Sequence, residues 1–249
     1  EAVEFVHAHG KKIHVTCNII PHNEDFEGLE DYLKFLESIG IDAIIVADMG
    51  IFSLAKRVAP GLELHVSTQA STTNWHTVQM WKELGATRVV AAREVSLADL
   101  KEMKDHVDIE IESFVHGSMC ISYSGRCLLS NYMAGNRDAN RGQCSQSCRW
   151  KYSLVESNRP GEYYPIEEDE HGTYIFNSKD LCLIHRIPDL YEAGIDSLKI
   201  EGRMKSVHYC ATVAKVYRTA IDTYLKEGKN WYVRPEWIAE LEKISHRPY

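Results

Sequence analysis

Between residues 12 and 115 the sequence alternates short β-branched apolar runs with amphipathic stretches of helical period, a rhythm that leaves few folds open. Candidate strands fall at 13–20, 43–47, 63–67, 88–92 and 109–115. Successive parallel strands need a crossover of a dozen or more residues, and helices between them supply it. Leu29, Tyr32, Leu33 and Leu36 stand at i, i+3, i+4 and i+7, one face of a helix that Gly40 closes. Further helices are expected at 52–58, at 75–84 ahead of Gly85, and at 96–105, where Ser96 and Asp99 suit an N-terminus. A sixth strand at 197–201 precedes a long helix striped by Cys210, Val213, Ala214, Tyr217, Ala220, Ile221, Tyr224 and Leu225. The chain therefore reads as α/β, a TIM-type (β/α) barrel lacking its first one or two units, with a doubly wound open sheet as the rival. Residues 1–8 read as the middle of an amphipathic helix with no Met before it, so the chain is expected to be a fragment.

The organisation follows. Residues 1–116 are expected to form barrel βα units and 196–249 the last barrel strand and the C-terminal helices. Residues 117–195 break the rhythm and read as a Cys-rich and antiparallel β insertion on a barrel loop, with strands at 152–155, 163–166 and 173–176.

Barrels carry reactive groups where strands end. Those ends read His65, Ser67 and Gln69; Arg93 and Glu94; Glu112, His116 and Gly117; and Lys199, Glu201 and Arg203. His65, Gln69, Arg93, Glu112, His116, Lys199, Glu201 and Arg203 are the candidate catalytic residues, expected to converge on one pocket at the rim. The same residues would also make a hydrated barrel mouth with internal ion pairs.

Charge narrows the partners. The chain has a net charge of −8, 44% hydrophobic and 10% aromatic residues, which excludes a disordered chain and a general polyanion binder. No uncharged apolar run of ~18 residues is present to span a bilayer. Yet residues 116–160 hold six Arg or Lys against two acids, a local +4. Arg137, Arg141 and Arg149, with Lys151, could position phosphates there, and Trp150 or Tyr152 could stack an unstacked base. The alternative is a solvated loop whose arginines pair with nearby acids.

Seven cysteines are an odd number, so a fully paired disulfide framework would leave one over. Cys17, inside a strand, and Cys210, on a helix stripe, read as small buried hydrophobes. Cys120, Cys127, Cys144, Cys148 and Cys182 lie among Gly, Ser and Arg at spacings foreign to common zinc knuckles, and four of them suit an iron-sulfur cluster in a cytosolic protein. On a helical turn Cys144 and Cys148 would share a face, which favours Cys148 as a ligand.

One stretch is distinctive: Glu112-Ser-Phe-Val-His-Gly-Ser-Met-Cys120-Ile-Ser-Tyr-Ser-Gly-Arg-Cys127 closely resembles the signature of the collagenase-like peptidase U-32 family. Asn136-Arg-Asp-Ala-Asn-Arg-Gly-Gln-Cys144, Cys148-Arg-Trp-Lys-Tyr152, Asn177-Ser-Lys-Asp-Leu-Cys182 and Lys199-Ile-Glu-Gly-Arg203 match it as well. The resemblance implies a TIM-type barrel with two strands ahead of residue 1. Its name implies proteolysis, but the chain has no His-Glu-x-x-His and no Gly-x-Ser-x-Gly. Better-understood relatives imply oxygen-independent hydroxylation, of transfer-RNA wobble uridine to 5-hydroxyuridine, of a ribosomal RNA cytidine, or in anaerobic ubiquinone synthesis. A 4Fe-4S cluster and prephenate as co-substrate are implied with it, and the dicarboxylate would need the rim arginines. The resemblance makes Cys120, Cys127, Cys144 and Cys182 the ligands, the last following Asp180-Leu181, with Cys148 the alternative. The expectation is a cytoplasmic RNA-modifying enzyme acting on transfer RNA, with a homologous partner subunit. A U-32 peptidase and a non-catalytic cluster protein of quinone hydroxylation are the competing readings.

Overall fold

A computed structural model describes residues 1–249 except 121, 151, 152, 156, 166, 167, 170, 171, 174–178, 247 and 248. Its sheet follows the sequence period closely. After α1 (Ala2–Ala8) come β1 (His14–Cys17), α2 (Leu29–Ser38), β2 (Ala43–Val46), α3 (Met49–Val58), β3 (Glu63–Val66), α4 (Trp75–Leu84), β4 (Arg88–Val90), α5 (Leu97–His106) and β5 (Glu110–Ser118). These five strands are parallel and adjacent in chain order. The arrangement curls into a half-barrel, the α/β TIM-type architecture expected of the sequence.

Local chemistry sets the helix ends. Ser96 caps α5 in a capping box with Asp99, and Asp48 and Asn74 cap α3 and α4. Gly85 closes α4 at φ +105°. Alternation along β2 and β3 sends Ile44, Val46, Leu64 and Val66 to the helix side, where they meet Leu33 and Leu36 of α2 and Trp81 of α4.

The segment after β5 holds α6 (Leu129–Ala134), a 3-10 turn at Ser147–Arg149, and two small antiparallel pairs. These are β6 (Ser153–Leu154) with β7 (Tyr164–Pro165), and β8 (Glu168–Asp169) with β9 (Gly172–Thr173). Ile166 and residues 174–176 of the expected β segments lie outside the described residues.

The chain then returns as β10 (Asp180–Cys182), which the sequence reading left unassigned and which pairs antiparallel with the end of β5. Next come α7 (Ile187–Glu192), β11 (Ser197–Ile200), α8 (Val207–Glu227) and α9 (Pro235–Glu242). β11 is the sixth parallel strand and pairs with β5 along Glu112 to His116. A second core joins Val115, Ile187 and Leu190 to Tyr209, Val213 and Tyr217 of α8 and Trp237 of α9. Among the described residues no helix is long and apolar enough to cross a membrane.

Candidate functional site at the strand ends

A cavity of about 660 Å³ opens where the parallel strands end. Arg93, after β4, lays its guanidinium 4.0 Å above the Phe114 ring and donates to Glu201 Oε2 at 3.2 Å. Glu201 Oε1 accepts from the Arg203 backbone N–H at 3.0 Å. Lys199 reaches the same wall, its Nζ donating to Glu112 Oε1 at 2.7 Å. Gln69, Arg93, Lys199, Glu201 and Arg203 thus share one cavity, as the strand-end argument predicts, and Arg149 and Lys205 join them.

Three of the expected residues stand elsewhere. Glu112 lies beneath Lys199 and also accepts from Arg88 Nη1 at 3.0 Å and Ser197 Oγ at 2.9 Å. His65 is buried one layer below Ser67, its Nε2 3.2 Å from Glu63 and its ring edge-on to His14 at 4.7 Å. Burial, with Arg88 nearby, holds His65 down at about 4 against the pull of Glu63.

His116 is a correction with a structural cause. β11 pairs Lys199 with Phe114 and Ile200 with His116, skipping Val115. This bulge turns both Val115 and His116 towards the helices, so the alternation that would carry His116 to the cavity is broken. Its ring lies instead among Tyr209, Tyr217 and Tyr249. Burial there lowers its pKa to about 4, despite Asp180.

The cysteines divide in the same way. Cys120, Cys127, Cys144 and Cys148 line the cavity. Cys120 lines the cavity and is exposed to solvent. Its thiol is pushed up by desolvation and by the three neighbouring cysteine charges, and pulled down by Arg93. Cys144 Sγ accepts from the Gln146 backbone N–H at 3.4 Å, the sort of bond that steadies a thiolate. Cys182, preferred from the resemblance, pairs with His116 across β5 and takes the Tyr217 hydroxyl at 3.9 Å on the helix side. The physical reason is β10: as a sheet strand it fixes Cys182 on the face away from the cavity. Cys17 packs against the core, where burial pushes its thiol up to about 11, and Cys210 sits beside Gly202.

Three glycines let the cysteine segment close on the rim. A Cβ on Gly117 (φ +113°) would fall 2.5 Å from the Glu201 carbonyl oxygen, one on Gly125 2.9 Å from Gln69 Cβ, and one on Gly142 2.3 Å from the Arg203 guanidinium. Arg141 holds Asp25 in a bidentate pair at 2.8 and 2.6 Å, which pulls the Asp25 carboxyl well below its usual range. Arg141 therefore takes the alternative foreseen for it, pairing with an acid rather than awaiting a phosphate. Arg137 donates to the Gln143 carbonyl at 3.1 Å, Trp150 is half exposed, and Lys151 and Tyr152 lie outside the described residues.

What could this wall hold? Among the described residues no three His, Cys, Asp or Glu side chains converge as a single-ion site. A multi-iron cluster gives separate metal atoms to separate thiolates, so its ligands need not converge on one point. The donor set, four cysteines lining one cavity with a backbone N–H on Cys144, fits such a cluster chemically.

The fold and site define a (β/α) half-barrel protein with a thiol- and cation-lined cavity at the C-terminal ends of its strands. The chain belongs to peptidase family U32, whose profile matches residues 1–249. It is 53% identical over 247 residues to "tRNA hydroxylation protein P1" of Bacillus subtilis, covering 99% of this chain and 58% of that protein. It is 41% identical over 287 residues to "tRNA hydroxylation protein P" of Escherichia coli, covering 99% of this chain and 62% of that protein. The chain thus spans about three fifths of these relatives. The solved U32 peptidase Mk0906 aligns with a TM-score of 0.48 at 14% identity, covering 80% of this chain and 72% of its own.

Proposed function

We propose that the chain is the cluster-bearing part of a cytoplasmic RNA-hydroxylating enzyme that acts without oxygen on transfer-RNA uridine. One observation carries the reading: Cys120, Cys127, Cys144 and Cys148 line the same cavity as Arg93, Lys199 and Arg203. The names of the two relatives, both tRNA hydroxylation proteins, support the substrate class. The four thiols would hold a 4Fe-4S cluster, which supplies one-electron redox chemistry when bound. Arg93, stacked on Phe114 and braced by Glu201, and Arg203, whose guanidinium lies beside Gly142, would hold the carboxylates of a prephenate-like donor. Lys199 adds a third cation to that wall. The peptidase reading has less support here, because among the described residues no histidine lines the cavity to activate a cysteine.

Single Cys→Ala variants, reconstituted anaerobically and assayed for iron and sulfide, test the ligand set. Loss of iron is expected for Cys120, Cys127, Cys144 and Cys148, and full iron for Cys182→Ala. Iron retained in Cys148→Ala and lost in Cys182→Ala would reverse the assignment. Nucleoside mass spectrometry of transfer RNA from a deletion strain tests the activity, with loss of 5-hydroxyuridine the expected result.

A further inference from the structure

Part of the cavity lining is uncharged: Thr16, Asn18, Ser67, Thr68 and Gln69 belong to it beside the Arg and Lys side chains. The polarity of its Gln69 amide is fixed from outside the cavity. The Ile20 backbone N–H donates to Asn140 Oδ1, and since a backbone N–H can only donate, the Asn140 oxygen must face it. Asn140 Nδ2 then donates to Gln69 Oε1 at 2.6 Å. The carbonyl end of Gln69 is thereby taken, and its Nε2, a double donor, has no partner among the described residues. Gly125 packs against the Gln69 side chain, and the Gln69 backbone N–H is held by Ser67 Oγ at 3.2 Å. The group is therefore a rigid neutral donor. A carboxylate entering the cavity has the cations available, whereas a neutral donor suits a carbonyl oxygen.

We propose that Gln69 is a specificity-determining residue that donates to a carbonyl oxygen of a pyrimidine base drawn into the cavity, and that Asn140 sets this preference by holding the amide donor-outward. The proposal rests on the RNA reading above. A base must leave its stack to enter such a cavity. Uracil then presents a carbonyl where cytosine presents an amino group, so a fixed donor accepts the first and opposes the second. The relay joins the loop after β1, the cysteine segment and the end of β3, so the donor is set only when that segment is docked.

The test uses the full-length protein and two labelled RNA stem-loops whose loops carry one uridine or one cytidine among adenosines, with binding read by fluorescence anisotropy. The wild type is expected to favour the uridine loop by about tenfold. Asn140→Asp still accepts from Ile20 but can no longer donate to Gln69, so the amide turns its oxygen to the cavity and the preference moves to cytidine. Gln69→Glu presents an acceptor by a separate route and should move it the same way, which decides the matter if Asn140→Asp folds poorly. Retention of the uridine preference in Gln69→Glu with an unchanged melting temperature overturns the proposal. So does a wild type that binds both loops equally, with the RNA reading intact. A wild type that binds neither loop overturns the RNA reading and this inference together.

Discussion

Glu112 gathers three donors on one buried carboxylate: Lys199 Nζ, Arg88 Nη1 and Ser197 Oγ. Burial alone would raise its carboxyl, but Lys199 first, then Ser197 and Arg88, outweigh it and hold the group below the ordinary value. From beneath the cavity it neutralises and fixes Lys199 on the cavity wall. Glu112→Gln leaves Lys199 without its carboxylate partner, while Arg88 keeps Glu110, and is expected to cost about 2 kcal/mol at pH 7. The sign with pH follows from the lowered value. A carboxyl depressed in the folded state contributes its full stability above the unfolded value and loses it as pH falls through the folded one. Urea melts should therefore show the gap between wild type and Glu112→Gln narrowing from pH 7 to pH 3, and an equal gap at both would refute the ionic role. The side chain was legible as a strand-end residue. Its place beneath the cavity rather than on its wall was not, since that depends on Lys199, 87 residues away.

At the level of elements, β5 decides more than any other strand. It pairs with β4, β11 and β10, its His116 standing between Cys182 of β10 and Ile200 of β11, and it absorbs a bulge at Val115. Directly after the bulge, Gly117 holds φ +113° against the Glu201 carbonyl. Gly117→Ala combines a disfavoured backbone region with a backbone clash, and should destabilise by about 2 kcal/mol or more. Thermal melts report the loss. A melting temperature within a degree of wild type would mean that this edge can shift without cost. The helices, by contrast, were readable from residues a few positions apart, as the Ser96 and Asp99 capping box of α5 illustrates.

Across the whole molecule, the cysteine segment is attached to the barrel at separate points. Arg141 pairs with Asp25, Asn140 joins Ile20 to Gln69, and Thr68 Oγ1 meets Ser124 Oγ at 3.2 Å. The local +4 of residues 116–160 is therefore spent partly on docking rather than presented to a partner. Arg141→Ala should speed limited proteolysis within residues 119–150 while far-UV circular dichroism, dominated by the half-barrel, stays the same. Unchanged cleavage would show that the remaining contacts suffice to hold the segment.

The sequence by itself determined the βα order, the helix closures at Gly40 and Gly85, the Ser96 and Asp99 cap, and the strand ends from which Gln69, Arg93, Lys199, Glu201 and Arg203 reach one cavity. These features depend on periodicity and on neighbours within a turn or two, so they survive without a tertiary context. The tertiary structure alone decided that Cys148 rather than Cys182 joins the cavity wall, that His116 turns to the helices, and that Arg141 belongs to Asp25. Each of these rests on strand register or on a contact between residues far apart in the chain. A single skipped residue, as at Val115, moves a side chain from one face of a sheet to the other, and no local pattern announces it.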